Sequence, residues 1–337
     1  MSYHCTTQGC ANHTAQLPRE AAEKLNYKCF LCGEGDLVEP GVTLEDMIEK
    51  VDILPVALQI LPMLQALLND DDASLDSIAS TCRVDTSLVT RLIHVANSTY
   101  YSLAHGGLCS SVEQALQRIG LNKAYSVVGY VAAKQFFNTD LPLYKMSGVE
   151  MWENSVRTAY CMEKLAGQLF VASDSYKYPD PSMAYTAGLI WPIGKMVISQ
   201  YHKNTGCSQL ADATPPLTDE IEKEILGFTN MDVTMALLEK WRFPDEMMEA
   251  INNKDMPLNS PGDRPLACLL SLVISAVQAF PITSGEIEES FLDTMAGQFS
   301  PNGEQLNLTG IPKMDFLEVI FSSMQFVKGG HMIGQLR

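Results

Sequence analysis

From Thr43 to the end of the chain, apolar residues recur almost without interruption at helical spacing, and strict period-two alternation appears nowhere outside the first 40 residues. That pattern admits an all-α body and excludes a large sheet. Ser74 reads as an N-cap before Leu75, Ile78 and Ala79, and Thr86–Ser98 carries Leu88, Leu92, Ile93 and Ala96 on one face. Ser110 or Ser111 starts the next helix, with Val112, Ala115, Leu116 and Ile119, and Gly120 stops it. Ala124–Phe137 is apolar nearly all round, as a central helix should be. A long helix runs from Met151 to about Ala172, then a polar loop with two prolines. Further helices fit 182–190, 193–203, 218–226, 231–241, 244–252, 264–280, 286–296 and 313–326, with Gly and Pro punctuation at 297–312.

The organisation this predicts is mainly all-α. A small module over 1–40 precedes a first helical half over 43–140, a second over 141–282 and a C-terminal helical extension over 283–337. With 46% hydrophobic and 19% charged residues, 337 residues can bury a sizeable core. Forty acidic against 23 basic residues give a formal charge of −17. Such a field repels nucleic-acid phosphates and anionic lipid, and no basic patch offsets it. Asp70, Asp71 and Asp72 form the densest charge cluster, which reads as a solvated turn. Leu75–Cys82 followed by Thr86–Ser98 has helix-turn-helix spacing, but the second helix offers only Arg91 and His94 to a duplex. The apolar run Leu266–Phe280 falls short of the ~20 residues a membrane span needs. No secretory signal opens the sequence, so the expectation is a cytoplasmic protein contacting neither nucleic acid nor membrane.

Four of the nine cysteines lie in the first 40 residues. Cys5 and Cys10 are separated by four residues, Cys29 and Cys32 by two, and Gly33 follows the second pair. Paired thiolates at such a separation suit tetrahedral structural zinc, and a glycine there tolerates the positive φ of a tight knuckle. Leu17-Pro18-Arg19-Glu20 between the pairs adds a resemblance to bacterial zinc ribbons. The first spacing is wider than the usual knuckle, leaving His4 and His13 as substitute ligands. Unligated thiols are the alternative.

Residues 54–137 resemble the first half of the HDOD family, the HD-related output domain of bacterial signalling proteins. The matching phrases are Leu54-Pro55, Leu61-Pro62, Ser74-Leu75-Asp76-Ser77-Ile78-Ala79 and Asp85-Thr86-Ser87-Leu88. Val95-Ala96-Asn97-Ser98, Tyr100-Tyr101 and the run from Ser111 to Gly120-Leu121 complete them in order. The likeness continues to about Phe280. Within it, Gly188-Leu-Ile-Trp-Pro-Ile-Gly194 resembles the Gly-Leu-Leu-His-Asp-Ile-Gly signature of metal-dependent HD phosphohydrolases, with Trp191 and Pro192 where the metal-binding pair stands.

The resemblance implies the other ligand positions too. A His two residues after a Trp falls on Asn154, behind Trp152. The His of a Gly-Phe-Asp-His phrase falls on Asn230, within Gly227-Phe-Thr-Asn230. Paired His after a Trp-x-x-Pro segment fall near Lys254 and Asp255, behind Trp241-Arg242-Phe243-Pro244, and a last Asp falls near Ile274. Of these residues only Asp255 offers a carboxylate, and one acid cannot assemble a hydrolytic metal centre. The family resemblance therefore implies a signal-transduction protein, the altered ligands imply that it is catalytically inactive with no cofactor in the helical body, and the cysteine pairs place a structural zinc at the N-terminus. It would act through a protein partner, with self-association through residues such as Tyr100, Tyr101 and Met332 left open. Two alternatives are a phosphohydrolase with rearranged ligands, for which His202 lies nearest in sequence, and a sensor binding a nucleotide second messenger among Asn154, Trp191, Asn230 and Lys254.

Overall fold

The computed structural model describes residues 2–5, 10–11, 17–33, 37–38, 42–49, 56–68, 70, 72–98, 101, 108–136, 139–169, 180–211, 213–261, 264–282 and 288–328. At the amino end, strand β1 (Ser2–Cys5) pairs antiparallel with β2 (Leu17–Pro18) and with β3 (Leu37–Val38), in the order β2-β1-β3. Tyr3 faces Leu17 and Cys5 faces Leu37. Helix α1 (Arg19–Lys24) sits against β1 and β2.

Among the described residues every named element after α2 (Leu44–Glu49) is helical, as the periodicity demands. The first half comprises α3 (Val56–Leu68), α4 (Leu75–Cys82), α5 (Thr86–Ala96), α6 (Val112–Ile119) and α7 (Leu121–Phe136). Helix α3 lies on α4 and α7, while α5 lies on α6 and α7. Local chemistry sets the ends. The Ser74 and Ser111 hydroxyls accept from the Ser77 and Gln114 amides at 3.1 and 3.3 Å, and Gly120 turns at φ 80°. Each such cap contributes about 1 kcal/mol. Asn97 then ties α5 to the segment before α6. Its amide donates to the Cys109 carbonyl at 2.8 Å and accepts from the Cys109 N–H at 2.7 Å.

The second half is built on the long α8 (Gly148–Leu169), packed most extensively on α9 (Pro181–Ile190). It continues through α10 (Ile193–Thr205), α11 (Ser208–Ala211), α12 (Asp219–Leu226), α13 (Asn230–Lys240), α14 (Asp245–Asn252) and α15 (Arg264–Ala279). Three contacts lock the halves together. Tyr125 and Thr186 share a 2.6 Å hydroxyl hydrogen bond, Tyr185 donates to the Ser126 carbonyl at 3.2 Å, and Gln65 donates to Asp180 at 2.6 Å. Asp180 also caps α9, so that last contact fixes the start of the helix leading into Trp191.

Both flanking regions dock on the second half. Helix α2 packs on α10 and α13, with the Val42 N–H donating to Gln209 at 3.0 Å. After α15 come α16 (Phe291–Gln298), α17 (Gly303–Thr309) and α18 (Lys313–Lys328); α17 packs on α15, and α18 packs on α8, α15 and α16. One contiguous apolar core runs from Met47 to Met324. Arg157 of α8 is fully buried within it, donating to Ser323 and to the Val277 carbonyl at 3.3 Å each. Its Nη2 meets no acceptor among the described residues. Among those residues no helix is long and apolar enough to cross a membrane.

Candidate functional site

Helix α9 ends at Ile190, and Trp191 and Pro192 form a two-residue corner into α10. Proline cannot donate the backbone hydrogen bond that would continue α9, so the chain must turn. Both glycines of the phrase are required by close approach. A Cβ on Gly188 would lie 2.9 Å from the Ala159 backbone of α8, and one on Gly194 would lie 1.8 Å from the Asn230 carbonyl oxygen. The Gly194 N–H donates to the Thr234 hydroxyl at 3.1 Å, which donates to the Asn230 carbonyl at 2.9 Å. Helices α10 and α13 therefore cross at backbone distance beside the corner.

Asn230 is buried where the crossing forms. Its backbone N–H and side-chain amide both donate to Glu222 of α12, at 2.5 and 2.9 Å, and the amide also donates to Asp219 at 2.8 Å. Glu222 is wholly buried, and the Tyr144 hydroxyl donates to its other oxygen at 2.6 Å. Burial, and next the adjacent Glu222 charge, hold the Tyr144 hydroxyl well above its usual pKa. Helix α14 packs on α9 and carries Lys254, just beyond its end, over the Trp191 ring, with Nζ 5.7 Å from the ring centre. Lys254 is ion-paired with Asp255, which is largely exposed. Lys195, one turn after Trp191 on α10, places its Nζ 5.4 Å from the centre of the Tyr144 ring.

The fold thus gathers Trp191, Pro192, Lys254 and Asp255 at one corner and joins Asn230 to it through Gly194. Asn154 is not tied into this network. No hydrogen bond, ion pair or ring contact links its side chain to Trp191, Asn230 or Lys254, and its carbonyl accepts from Thr158 at 2.8 Å. Trp152 is half-buried edge-on against Tyr130 at 5.9 Å, and Trp241 is half-buried against Phe243 at 6.4 Å. His202 lies nine residues past the start of α10, about 13 Å along the helix at 1.5 Å per residue and away from the corner. Lys195, Tyr144, Asp219 and Glu222 were not legible as site residues. Lys195 alone had a local signal, following Gly194 directly and sharing a helix face with Trp191. Glu222 belongs to an acidic run that reads as a solvated surface.

At the amino end, Cys10, Cys29 and Cys32 bring their sulfurs within 4.8 Å of one another, with 3.6 Å between Cys10 and Cys29. Gly33 adopts φ 70° and its N–H closes the knuckle on the Cys29 carbonyl at 2.9 Å. Tetrahedral zinc with thiolates at about 2.3 Å sets its sulfurs about 3.8 Å apart, so the trio fits such an ion. Cys5 ends β1, and its side chain, like those of His4 and His13, lies outside the described residues, as do Tyr100 and Met332. This trio is the one grouping of three or more His, Cys, Asp or Glu among the described residues close enough to share a metal. Of the residues at the Trp191 corner only Asp255 offers a metal a carboxylate: an indole and an ammonium present donors alone, and Pro192 has no polar side chain.

Fold and corner together define a two-part, all-helical domain of the HD/HDOD type. Crystal structures share that fold. A provisionally assigned signal transduction protein of Marinobacter aquaeolei VT8 aligns at TM-score 0.61 and 20% identity, covering 89% of this chain and 62% of its own. A provisionally assigned phosphohydrolase of Shewanella amazonensis SB2B aligns at 0.57 and 19%, covering 88% and 99%. An HDOD domain protein with unknown function from Geobacter sulfurreducens aligns at 0.57 and 17%, covering 87% and 94%. In sequence, an uncharacterized protein of Treponema pallidum (strain Nichols) is 21% identical over 211 residues, 60% of this chain; the match spans only 38% of that relative's length. The HDOD domain profile matches residues 54–257, and the chain belongs to the HDOD family.

Proposed function

We propose that this chain is a signal-transduction protein that works by binding a protein partner and has no hydrolytic activity. The observation that carries the reading is the content of the Trp191 corner. A hydrolytic centre needs several converging imidazoles and carboxylates to fix an ion and lower the pKa of its water. Here Asn230 is consumed by Glu222 and Asp219, Lys254 covers Trp191, and Asp255, the one carboxylate at an expected ligand position, is paired with Lys254. Likeness to a signal transduction protein supports the role, and the net charge of −17 favours a protein surface over nucleic acid. The test is hydrolysis of nucleotides, cyclic dinucleotides and a generic phosphodiester by pure protein with Mg²⁺, Mn²⁺ or Fe²⁺. No turnover above blank is expected, and metal-dependent turnover would refute the reading.

Residues 1–40 would form a zinc ribbon, with Cys5, Cys10, Cys29 and Cys32 as ligands. A segment this small cannot bury enough apolar surface to hold itself together, so the ion would supply its folding energy. The three clustered sulfurs support this. Metal analysis should find one zinc per chain in the wild type and none in a Cys29→Ser/Cys32→Ser variant. Zinc retained by that variant would place the ion elsewhere.

A further inference from the structure

We propose that the cysteine knuckle of the amino-terminal module docks on the α17–α18 corner of a second copy of this chain. The knuckle presents apolar side chains to solvent. Phe30 and Leu31, between Cys29 and Cys32, are 59% and 52% exposed, and Tyr27 just before them is 38% exposed. The backbone holds them there. Asn26 and Tyr27 both turn through the left-handed region, at φ 50° and 57°, and the Tyr27 N–H closes the end of α1 on the Ala22 carbonyl at 2.9 Å. A bulky side chain strains such a turn, which glycine makes freely, so the tyrosine does not stand there for the sake of the turn. The module buries Ala22 and Cys29 against Leu17 and Leu25 in a cluster separate from the Met47–Met324 core. Tyr27, Phe30 and Leu31 belong to neither.

Charge selects the facing surface. Residues 1–33 hold Arg19, Lys24 and Lys28 against Glu20 and Glu23, whereas residues 34–337 hold 20 basic against 38 acidic residues. Lys24 and Lys28 are exposed beside the knuckle, and no acid lies between Glu23 and Glu34. Knuckle against knuckle would therefore set like charges together. The opposite pattern lies in the C-terminal extension. Leu308 of α17 and Met314 of α18 are 43% and 42% exposed, on either side of the left-handed Gly310 turn. Exposed Glu304 lies one turn before Leu308 and exposed Glu318 one turn after Met314, so each apolar residue shares a helix face with a carboxylate. Between Arg264 and Lys328 the one basic residue is Lys313, and its ammonium is turned onto the Ala296 carbonyl at 2.9 Å.

Both patches are exposed at once in the single chain, so they do not cover each other within it. Between two copies, each knuckle can meet the other's α17–α18 corner, and two identical contacts close a two-fold dimer. Three apolar side chains against two make a contact well below the ~1,200 Å² of a stable interface, so the dimer is weak and reversible. Its lysine–carboxylate rim makes it weaker still as salt rises. Such self-association stands whether or not the Trp191 corner hydrolyses anything, and it supplies one protein partner for the signalling role.

The test is sedimentation velocity of the full chain over a range of protein and salt concentrations. The wild type should show a monomer–dimer equilibrium that salt shifts toward monomer. Phe30→Ser/Leu31→Ser, Lys24→Glu/Lys28→Glu and Glu304→Lys/Glu318→Lys should each weaken the dimer at least tenfold. All of these positions are exposed, and unchanged far-UV circular dichroism and melting temperature show that the fold is kept. Mixing the two charge-reversed variants is the decisive arm. The reversed knuckle of one then faces the reversed corner of the other, and the unaltered knuckle faces the unaltered corner, so a heterodimer should form although neither variant dimerises alone. A wild type that stays monomeric at its highest soluble concentration would overturn the proposal and leave the knuckle to a different protein. A dimer indifferent to either reversal, or no heterodimer on mixing, would overturn it as well. None of these results bears on the non-catalytic reading, which hydrolysis assays decide separately.

Discussion

Gly194→Ala isolates the helix crossing on which the corner depends. The new methyl would sit 1.8 Å from the Asn230 carbonyl oxygen, where Cβ atoms essentially never come within 3.0 Å, and 2.7 Å from the Thr234 hydroxyl. Helices α10 and α13 must part by about 1.2 Å, and Asn230 cannot yield alone because Glu222 and Asp219 hold it. Overpacking of this kind costs about 1–3 kcal/mol, and loss of the hydrogen bond from Gly194 to Thr234 adds ~1. Alanine's better helix propensity returns ~1. The net expectation is destabilisation by about 2 kcal/mol, measured as a lower urea midpoint by far-UV circular dichroism. Gly167→Ala in α8 is the control, since a Cβ there meets nothing within 4 Å; it should stabilise by up to ~1 kcal/mol. If Gly194→Ala proved as stable as the wild type, the backbone contact would not be what holds α10 to α13.

Arg157→Met should leave stability unchanged or raise it by about 1 kcal/mol, because an apolar chain of similar length fills the site without a buried charge; a loss above ~2 kcal/mol in urea titration would mean that the guanidinium is neutralised by an acceptor. Stability should fall as pH climbs above about 10. The hydroxyls of Tyr125, Tyr144 and Tyr185 are held above their usual pKa by burial, so the unfolded chain releases their protons first. Tyr144→Phe should flatten that alkaline slope, and an unchanged slope would count against its buried contact with Glu222. Burial likewise pushes the Cys82 and Cys161 thiols up to about 11 and about 12, so both should resist a thiol reagent at pH 8 until urea unfolds the chain.

Much of this architecture was legible because its causes are local. The sequence-predicted 182–190 and 244–252 appear as Pro181–Ile190 and Asp245–Asn252, with boundaries set by Asp180, Pro192 and Pro244 within a residue or two. The Ser74 and Ser111 caps and the positive φ of Gly33 follow from residue chemistry alone. Misses occurred where polar contacts decide. Helix α8 begins at Gly148 rather than Met151 because Asp140 accepts the Gly148 N–H and Ser147 accepts that of Glu150, contacts that apolar periodicity cannot register. The predicted 286–296 begins instead at Phe291, and α17 lies inside the punctuated 297–312, enclosed by an Asn302 cap and the left-handed Gly310. At the site, Trp191 and Pro192 were readable because the corner is a local event. The partnership of Asn230 with Glu222, and of Lys254 with Trp191, arises only when α9, α12, α13 and α14 have packed.

The placement of α18 also sets an order of events during synthesis. The first half closes on itself between residues 56 and 136 and needs nothing made later to join α3 to α7. Helix α8, by contrast, keeps a face for a segment far downstream: Arg157 reaches Ser323 across 166 residues. At about 5–20 residues per second, that interval is roughly 8 to 33 s on the ribosome. For that time Cys161 and the α8 surface around it wait without their cover, and a nascent-chain chaperone or a misplaced apolar segment can occupy the vacancy. The corner at Trp191 is therefore assembled on a helix whose own packing is finished last.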